Sequence, residues 1–105
     1  MYRNKFNANM DNRRRSAKER ARLAELKLME RAGRIQGLND QVRFELLPKQ
    51  DGEKAAFYIA DFTYWQDGKF VVEDVKGYKK GSAYNLFVLK RKLMLYRYGI
   101  KIKET

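Results

Sequence analysis

Asp61, Asp74 and Lys76 are the residues of this sequence whose types and spacing are suited to chemistry. Asp67-Gly68 separates two runs rich in aromatic and β-branched residues, and a two-residue type I′ turn needs φ > 0, which Gly supplies. Such a hairpin pairs Gln66 with Lys69, and in the same register Trp65 with Phe70, Thr63 with Val72 and Asp61 with Asp74. Directly opposed residues share a face, with Cβ atoms about 5 Å apart. Lys76 lies two residues beyond Asp74 and joins that face, whereas Glu73 points the other way with Val71 and Val75. Two carboxylates this close share a proton, stay in water or bind a cation. An ion pair between Lys76 and one aspartate is a further way out, and a solvated sheet end is another. Ile59, Trp65, Phe70 and Val72 make the face half-buried, which favours a divalent cation over full solvation.

The chemistry is narrowed by what is missing. The 105 residues include no Cys and no His. Disulfide frameworks, thiol nucleophiles, His bases and the usual zinc sites are therefore excluded. A metal here has to be hard and oxygen-bound. The formal net charge is +11, which suggests a polyanionic partner, most often nucleic acid. From Met1 to Arg22 there are eight basic residues and two acids, and from Lys76 to Lys103 nine basic residues and no acid. Between Ile35 and Asp74 the sign reverses, with four basic residues against eight acids. Basic wings suit phosphates, while an acidic centre repels them unless it holds a cation. This pattern turns binding of nucleic acid towards its cleavage.

The elements that must position these residues follow from local signals. Residues 1–15 are polar and without periodicity and read as a flexible basic arm; residues 16–105 read as one domain. Ser16-Ala17-Lys18-Glu19 is an N-cap with a capping-box Glu, so a helix runs to about Ala32 and stops at Gly33. Gly37–Asp40 reads as a loop, and Gln41–Leu47 as a strand ended by Pro48. Ala55–Gln66 and Lys69–Gly77 form the hairpin. Ser82 caps a second helix, Ala83–Tyr98, with an apolar stripe at Leu86, Leu89, Leu93 and Tyr96 and a stop at Gly99. Ile100–Lys103 alternates as a last short strand. The expected fold is α/β in the order α-β-β-β-α-β, a mixed sheet flanked by two helices. No apolar run is long enough to span a bilayer, and no signal peptide is expected.

Asp61 followed by a hairpin and Asp74-Val75-Lys76 resembles the PD-(D/E)xK nuclease motif, and the element order is similar to that superfamily's restriction-endonuclease-like core. The chain further resembles a family of small phage and prophage proteins assigned to that superfamily. The matching stretches are Ser16–Glu19, Glu25–Leu28, Gln41–Leu46, Tyr58–Phe62, Val72–Gly77, and Lys92-Leu93 through Tyr98–Ile100. The resemblance implies that Asp61, Asp74 and the Val75 backbone carbonyl hold Mg²⁺ or Mn²⁺. It implies that Lys76 orients the attacking water and that Glu19 serves as an acid on the first helix, beside its role as a helix cap. Ala60 stands where the motif's name has Pro, and the doublet Glu73-Asp74 offers two candidates, between which the hairpin register selects Asp74. The implied activity is metal-dependent DNA endonuclease, with branched DNA as the leading substrate, in the cytoplasm of a bacterial host. The alternative is a non-catalytic DNA-binding accessory protein that keeps the fold.

Other residues carry weaker expectations. Arg13, Arg14, Arg15, Lys79, Lys80 and Lys90 are candidates for gripping the DNA backbone. Gln41 is a candidate support for the site. Tyr58, Tyr64, Tyr78, Tyr84, Tyr96 and Trp65 have the chemistry to stack on bases, although at strand spacing aromatic residues more often fill a core. Phe87, Val88 and Leu89 make the second helix apolar on more than one face, compatible with a homodimer interface.

Overall fold

The computed structural model describes residues 3–4 and 15–105. The elements are β1 (Arg3–Asn4), α1 (Ala17–Arg31), β2 (Gln36–Leu47), β3 (Ala56–Gln66), β4 (Lys69–Asp74), α2 (Gly81–Tyr98) and β5 (Lys103–Glu104). The strands form one sheet in the order β1-β2-β3-β4-β5, antiparallel except for β5, which runs parallel to β4. A mixed sheet with two helices in the expected α-β-β-β-α-β order is what the patterning required, with β1 added at the outer edge of β2.

Helix α1 starts as its capping signal dictates. The Ser16 side chain accepts the Glu19 N–H at 3.1 Å, filling an otherwise orphaned donor. The β3–β4 turn has Asp67 at φ 51° and Gly68 at φ 75°, both in the left-handed region that a type I′ turn demands. The register follows, with Gln66↔Lys69, Trp65↔Phe70, Tyr64↔Val71, Thr63↔Val72 and Phe62↔Glu73.

Several boundaries differ from expectation. Strand β2 begins at Gln36, because Gln36, Asn39 and Asp40 pair with Trp65, Thr63 and Phe62; ladder bonds override the turn propensity of Gly37-Leu38-Asn39-Asp40. Gly37 has φ 65°, and a Cβ there would meet the Trp65 ring at 3.5 Å. Strand β4 ends at Asp74 rather than Gly77, and the segment after it is held by Thr105. Strand β5 is Lys103–Glu104, set by pairing with Glu73 and Asp74 rather than by the alternation of Ile100–Lys103. Helix α2 starts at Gly81 with Lys80 at the cap position and no side-chain cap, so Ser82 lies inside the helix.

The core is split between the two faces of the sheet. Under α1 lie Leu23, Leu26, Ile35, Phe62 and Tyr64. Under α2 lie Val42, Phe44, Leu46, Tyr58, Ala60, Val72, Phe87, Met94 and Ile102. Strict alternation would put Tyr58, Ala60, Phe62 and Tyr64 on one face. Instead the buried set changes sides at Asp61, and on β2 at Gln41, whose φ is 51°. The pairs Asp40↔Phe62 and Val42↔Ala60 flank these two residues, so Gln41 lies across from Asp61 at a kink through both strands.

The expected stripe of α2 is the main packing correction. Phe87 and Met94 are the buried residues, and Leu93 packs partly on the core, whereas Leu86, Leu89 and Tyr96 are exposed. Apolar residues surround this helix, so the sequence gives no contrast to select a face. The selection comes from aromatic contacts: Phe87 meets Tyr58 and Tyr84 at centroid separations of 6.3 and 5.8 Å. Among the described residues no helix is long and apolar enough to cross a membrane.

Candidate functional site

The candidate site sits where β3 and β4 part at the end of their ladder. The last pair is Phe62↔Glu73, one short of Asp61 and Asp74. Asp74 pairs instead with Glu104 of β5. The Asp61 carboxylate accepts the Val75 N–H at 2.8 Å, which ties the end of β4 back to β3. The two aspartates thus remain neighbours although they are not ladder partners. Thr105 completes the frame: its N–H donates to the Asp74 carbonyl and its carbonyl accepts the Lys76 N–H. From α1, the Lys18 ammonium donates to the Lys76 carbonyl at 2.5 Å.

One ammonium serves two carboxyl groups here. Asp74 is buried, and Lys76 Nζ lies 2.5 Å from its Oδ2, the ion pair that was one of the alternatives open from sequence. The Lys76 ammonium also lies 3.6 Å above the Phe87 ring, so it is held between a carboxylate and an aromatic face. Even so, Asp74 Oδ2 receives no hydrogen bond of good geometry among the described residues. Burial pushes the Asp61 carboxyl up to about 8, with the Asp74 charge adding to the shift, the Val75 N–H opposing it and the Glu19 charge adding a smaller share. Glu19 therefore acts on the site electrostatically from α1 while its own N–H serves the helix cap.

The neighbouring Glu73 is a different matter. It accepts from Arg22 Nε and Nη2 at 2.6 and 2.9 Å, from the Tyr64 hydroxyl at 2.6 Å and from the Thr105 hydroxyl at 3.0 Å. Burial alone would raise this carboxyl, but those donors hold it below the usual carboxylate range. Glu73 is thus occupied structurally, and Asp74 is the acid left available, as the hairpin register indicates.

A pocket of about 240 Å³ opens beside Asp74 and Lys76, walled by Phe57, Ile59, Leu86 and Phe87, with Lys90 on its lining. Lys90 has no ion-pair partner among the described residues, and Lys80 is exposed. Lys79 is exposed and lies 3.8 Å from Glu104. Arg15 is a correction: it is buried, its guanidinium pairs with the buried Asp40 and lies over Phe62, so it is withdrawn from any phosphate. Arg13 and Arg14 lie outside the described residues. Tyr64 and Tyr84 are tied to Glu73 and Glu104 through their hydroxyls, whereas Tyr78 and Tyr96 are exposed.

Sequence reasoning treated Tyr58 only as a stacking or core residue. It is 3% exposed, and its hydroxyl finds no hydrogen-bond partner among the described residues. Burial and the charges of Asp74 and Asp61 push its ionisation far up, so it remains a neutral phenol beside the two carboxylates. Its offset from Asp74 across β3 and β4 could not be read without the kink at Asp61.

Among the described residues no three of His, Cys, Asp and Glu converge as a metal cage. The pair Asp61 and Asp74 still fits a hard divalent cation. Mg²⁺ keeps several waters and takes one or two carboxylates together with substrate phosphates, and the pair offers an oxygen approached only by the Lys76 ammonium and a carboxyl raised by burial and by its neighbour's charge.

Comparison with known proteins gives a family but no function. Residues 2–105 match the family model described as Protein of unknown function (DUF1064), and the chain belongs to that family. No curated protein and no solved structure matches significantly.

Proposed function

For this member of a family described only by its unknown function, we propose a metal-dependent DNA endonuclease with a restriction-endonuclease-like core of the PD-(D/E)xK type. The observation that carries the reading is the convergence of Asp61, Asp74 and Lys76 at the parting of β3 and β4, with one ammonium serving the aspartate pair while the adjacent Glu73 is fully engaged. Asp61 and Asp74 would hold Mg²⁺ or Mn²⁺, with the Val75 carbonyl as a further oxygen. Such an ion supplies Lewis acidity and lowers the pKa of a bound water. Lys76, released from Asp74 when that carboxylate is otherwise neutralised, would orient the water and offset charge on the scissile phosphate. Lys90 on the pocket lining and the exposed Lys79 and Lys80 hold the phosphate backbone on either side. Branched DNA in the cytoplasm of a bacterial host, in phage replication or recombination, is the setting the resemblance suggests. A homodimer through α2 belongs to the same proposal, supported by the exposed Leu86, Leu89, Leu95 and Tyr96.

The test is cleavage of linear, flapped and four-way DNA with Mg²⁺, Mn²⁺ or EDTA. Cleavage should need the metal and fall to background in Asp74→Ala and Lys76→Ala, while DNA binding, which should weaken steeply with salt, stays near wild type. Metal-independent cutting, or full activity in Asp74→Ala, contradicts the mechanism. A second reading, a non-catalytic DNA-binding accessory protein, is favoured by the Lys76–Asp74 ion pair, which neutralises the proposed ligand internally. Binding without cleavage of any of the three DNAs selects it.

A further inference from the structure

The consecutive acids of β4 each have a tyrosine from β3. Tyr64 serves Glu73, donating its hydroxyl at 2.6 Å. Tyr58 lies on the Asp74 side, lining the same pocket as Asp74 and Lys76. There the match is looser: the Tyr58 hydroxyl is buried without a hydrogen bond of good geometry, although it lies close enough to Asp74 for that carboxylate to raise its ionisation, and Asp74 Oδ2 is approached by the Lys76 ammonium. A sealed donor beside a carboxylate that it does not meet with good geometry is costly unless another state of the site joins them. The Lys76 ammonium occupies Asp74 Oδ2 here. If Lys76 turns to a phosphate, Asp74 keeps one oxygen for a cation and needs a donor on the other.

We propose that Tyr58 is a positioning residue for the cation site, its hydroxyl donating to Asp74 and fixing the orientation in which that carboxylate receives a divalent cation. This rests on the reading of Asp61 and Asp74 as cation ligands. The phenol keeps its proton throughout and contributes only as a donor. Partners that orient metal-binding carboxylates typically change affinity by about 10- to 100-fold when removed.

The experiment is calorimetric titration of the full chain with Mn²⁺ alone, together with melting curves of the metal-free protein, for wild type, Tyr58→Phe, Tyr64→Phe and Asp74→Asn. Tyr58→Phe should weaken Mn²⁺ by about tenfold or more and leave the metal-free melting temperature unchanged or higher, since the deleted hydroxyl has no partner to lose. Tyr64→Phe should do the reverse, lowering the melting temperature with Mn²⁺ affinity kept. Wild-type affinity in Tyr58→Phe overturns the proposal, as does a metal-free destabilisation in Tyr58→Phe equal to that of Tyr64→Phe. If wild type and Asp74→Asn are alike in taking up no Mn²⁺, the cation reading itself fails and this inference falls with it.

Discussion

Glu73 and Asp74 are adjacent on one strand and face opposite sides of one sheet, yet their surroundings differ in kind. On the α1 side, Glu73 is wholly buried and meets a guanidinium and two hydroxyls, four hydrogen bonds in all. On the α2 side, Asp74 shares its space with a second carboxylate and one ammonium, and the oxygen that the ammonium approaches receives no hydrogen bond of good geometry. A buried acid that only builds structure is expected to be saturated with donors. One that is kept short of donors and close to a like charge carries a cost that structure alone does not repay, and such sites are where function concentrates. The contrast also shows what the same helix does on each side: Arg22 grips Glu73, and Lys18, one turn earlier, reaches the Lys76 carbonyl.

Three measurements bear on this contrast. Removing the Glu73 counter-charge should have the largest effect. Arg22→Leu leaves a buried carboxylate without its main donor and should cost about 3 kcal/mol in urea denaturation; a loss below about 1 kcal/mol would mean the cluster is not the anchor it resembles. The next effect is of opposite sign. Asp61 has a folded pKa raised from 3.8 to about 8, so the folded state binds more protons than the unfolded chain in between. Its contribution is intact below about pH 4 and stability falls as pH rises towards 8. Asp61→Asn should flatten that fall and raise metal-free stability at pH 8.5 by about 1 kcal/mol. Glu73, with its pKa lowered, gives the other slope: its contribution is present above the ordinary carboxylate range and is lost as pH falls through its depressed folded value. The smallest effect is expected of Lys18→Met, an exposed contact, which should shift metal-free stability by less than about 0.5 kcal/mol.

What could be read from sequence depended on how local its cause was. The β3–β4 register was legible because Asp67-Gly68 dictates it within two residues, and the α1 start because the Ser16 hydroxyl accepts the Glu19 N–H. That register brings Asp61 and Asp74 to the same end of the hairpin, but the ladder stops one residue short of them, and the hydrogen bond from the Val75 N–H to Asp61 keeps them neighbours. The burial of Arg15 was not legible, since its partner Asp40 lies 25 residues away and looked like part of a loop. The start of β2 was hidden for the same reason: polar residues became a strand because β3 offered them ladder bonds. The face of α2 was ambiguous because Leu86–Leu89 and Leu93–Tyr96 encircle the helix. Tyr58 was missed because its relation to Asp74 depends on the side change at Asp61, a distortion that no periodicity announces.

The way the acidic end of the hairpin is fastened has a bearing on when it forms. The β3–β4 ladder joins near neighbours and can zip from its turn, a fast local event. One contact that fastens its far end, from the Val75 N–H to Asp61, lies within the hairpin, while the others come from Lys18 and from Thr105, distant in the chain on either side. Bonds of such separation form late, because the intervening chain must first be ordered. Until then the strands can splay where the aspartates stand. The framing of the two carboxylates by Lys18 and Thr105 is therefore expected to be completed late, once both helices and the core can hold them together.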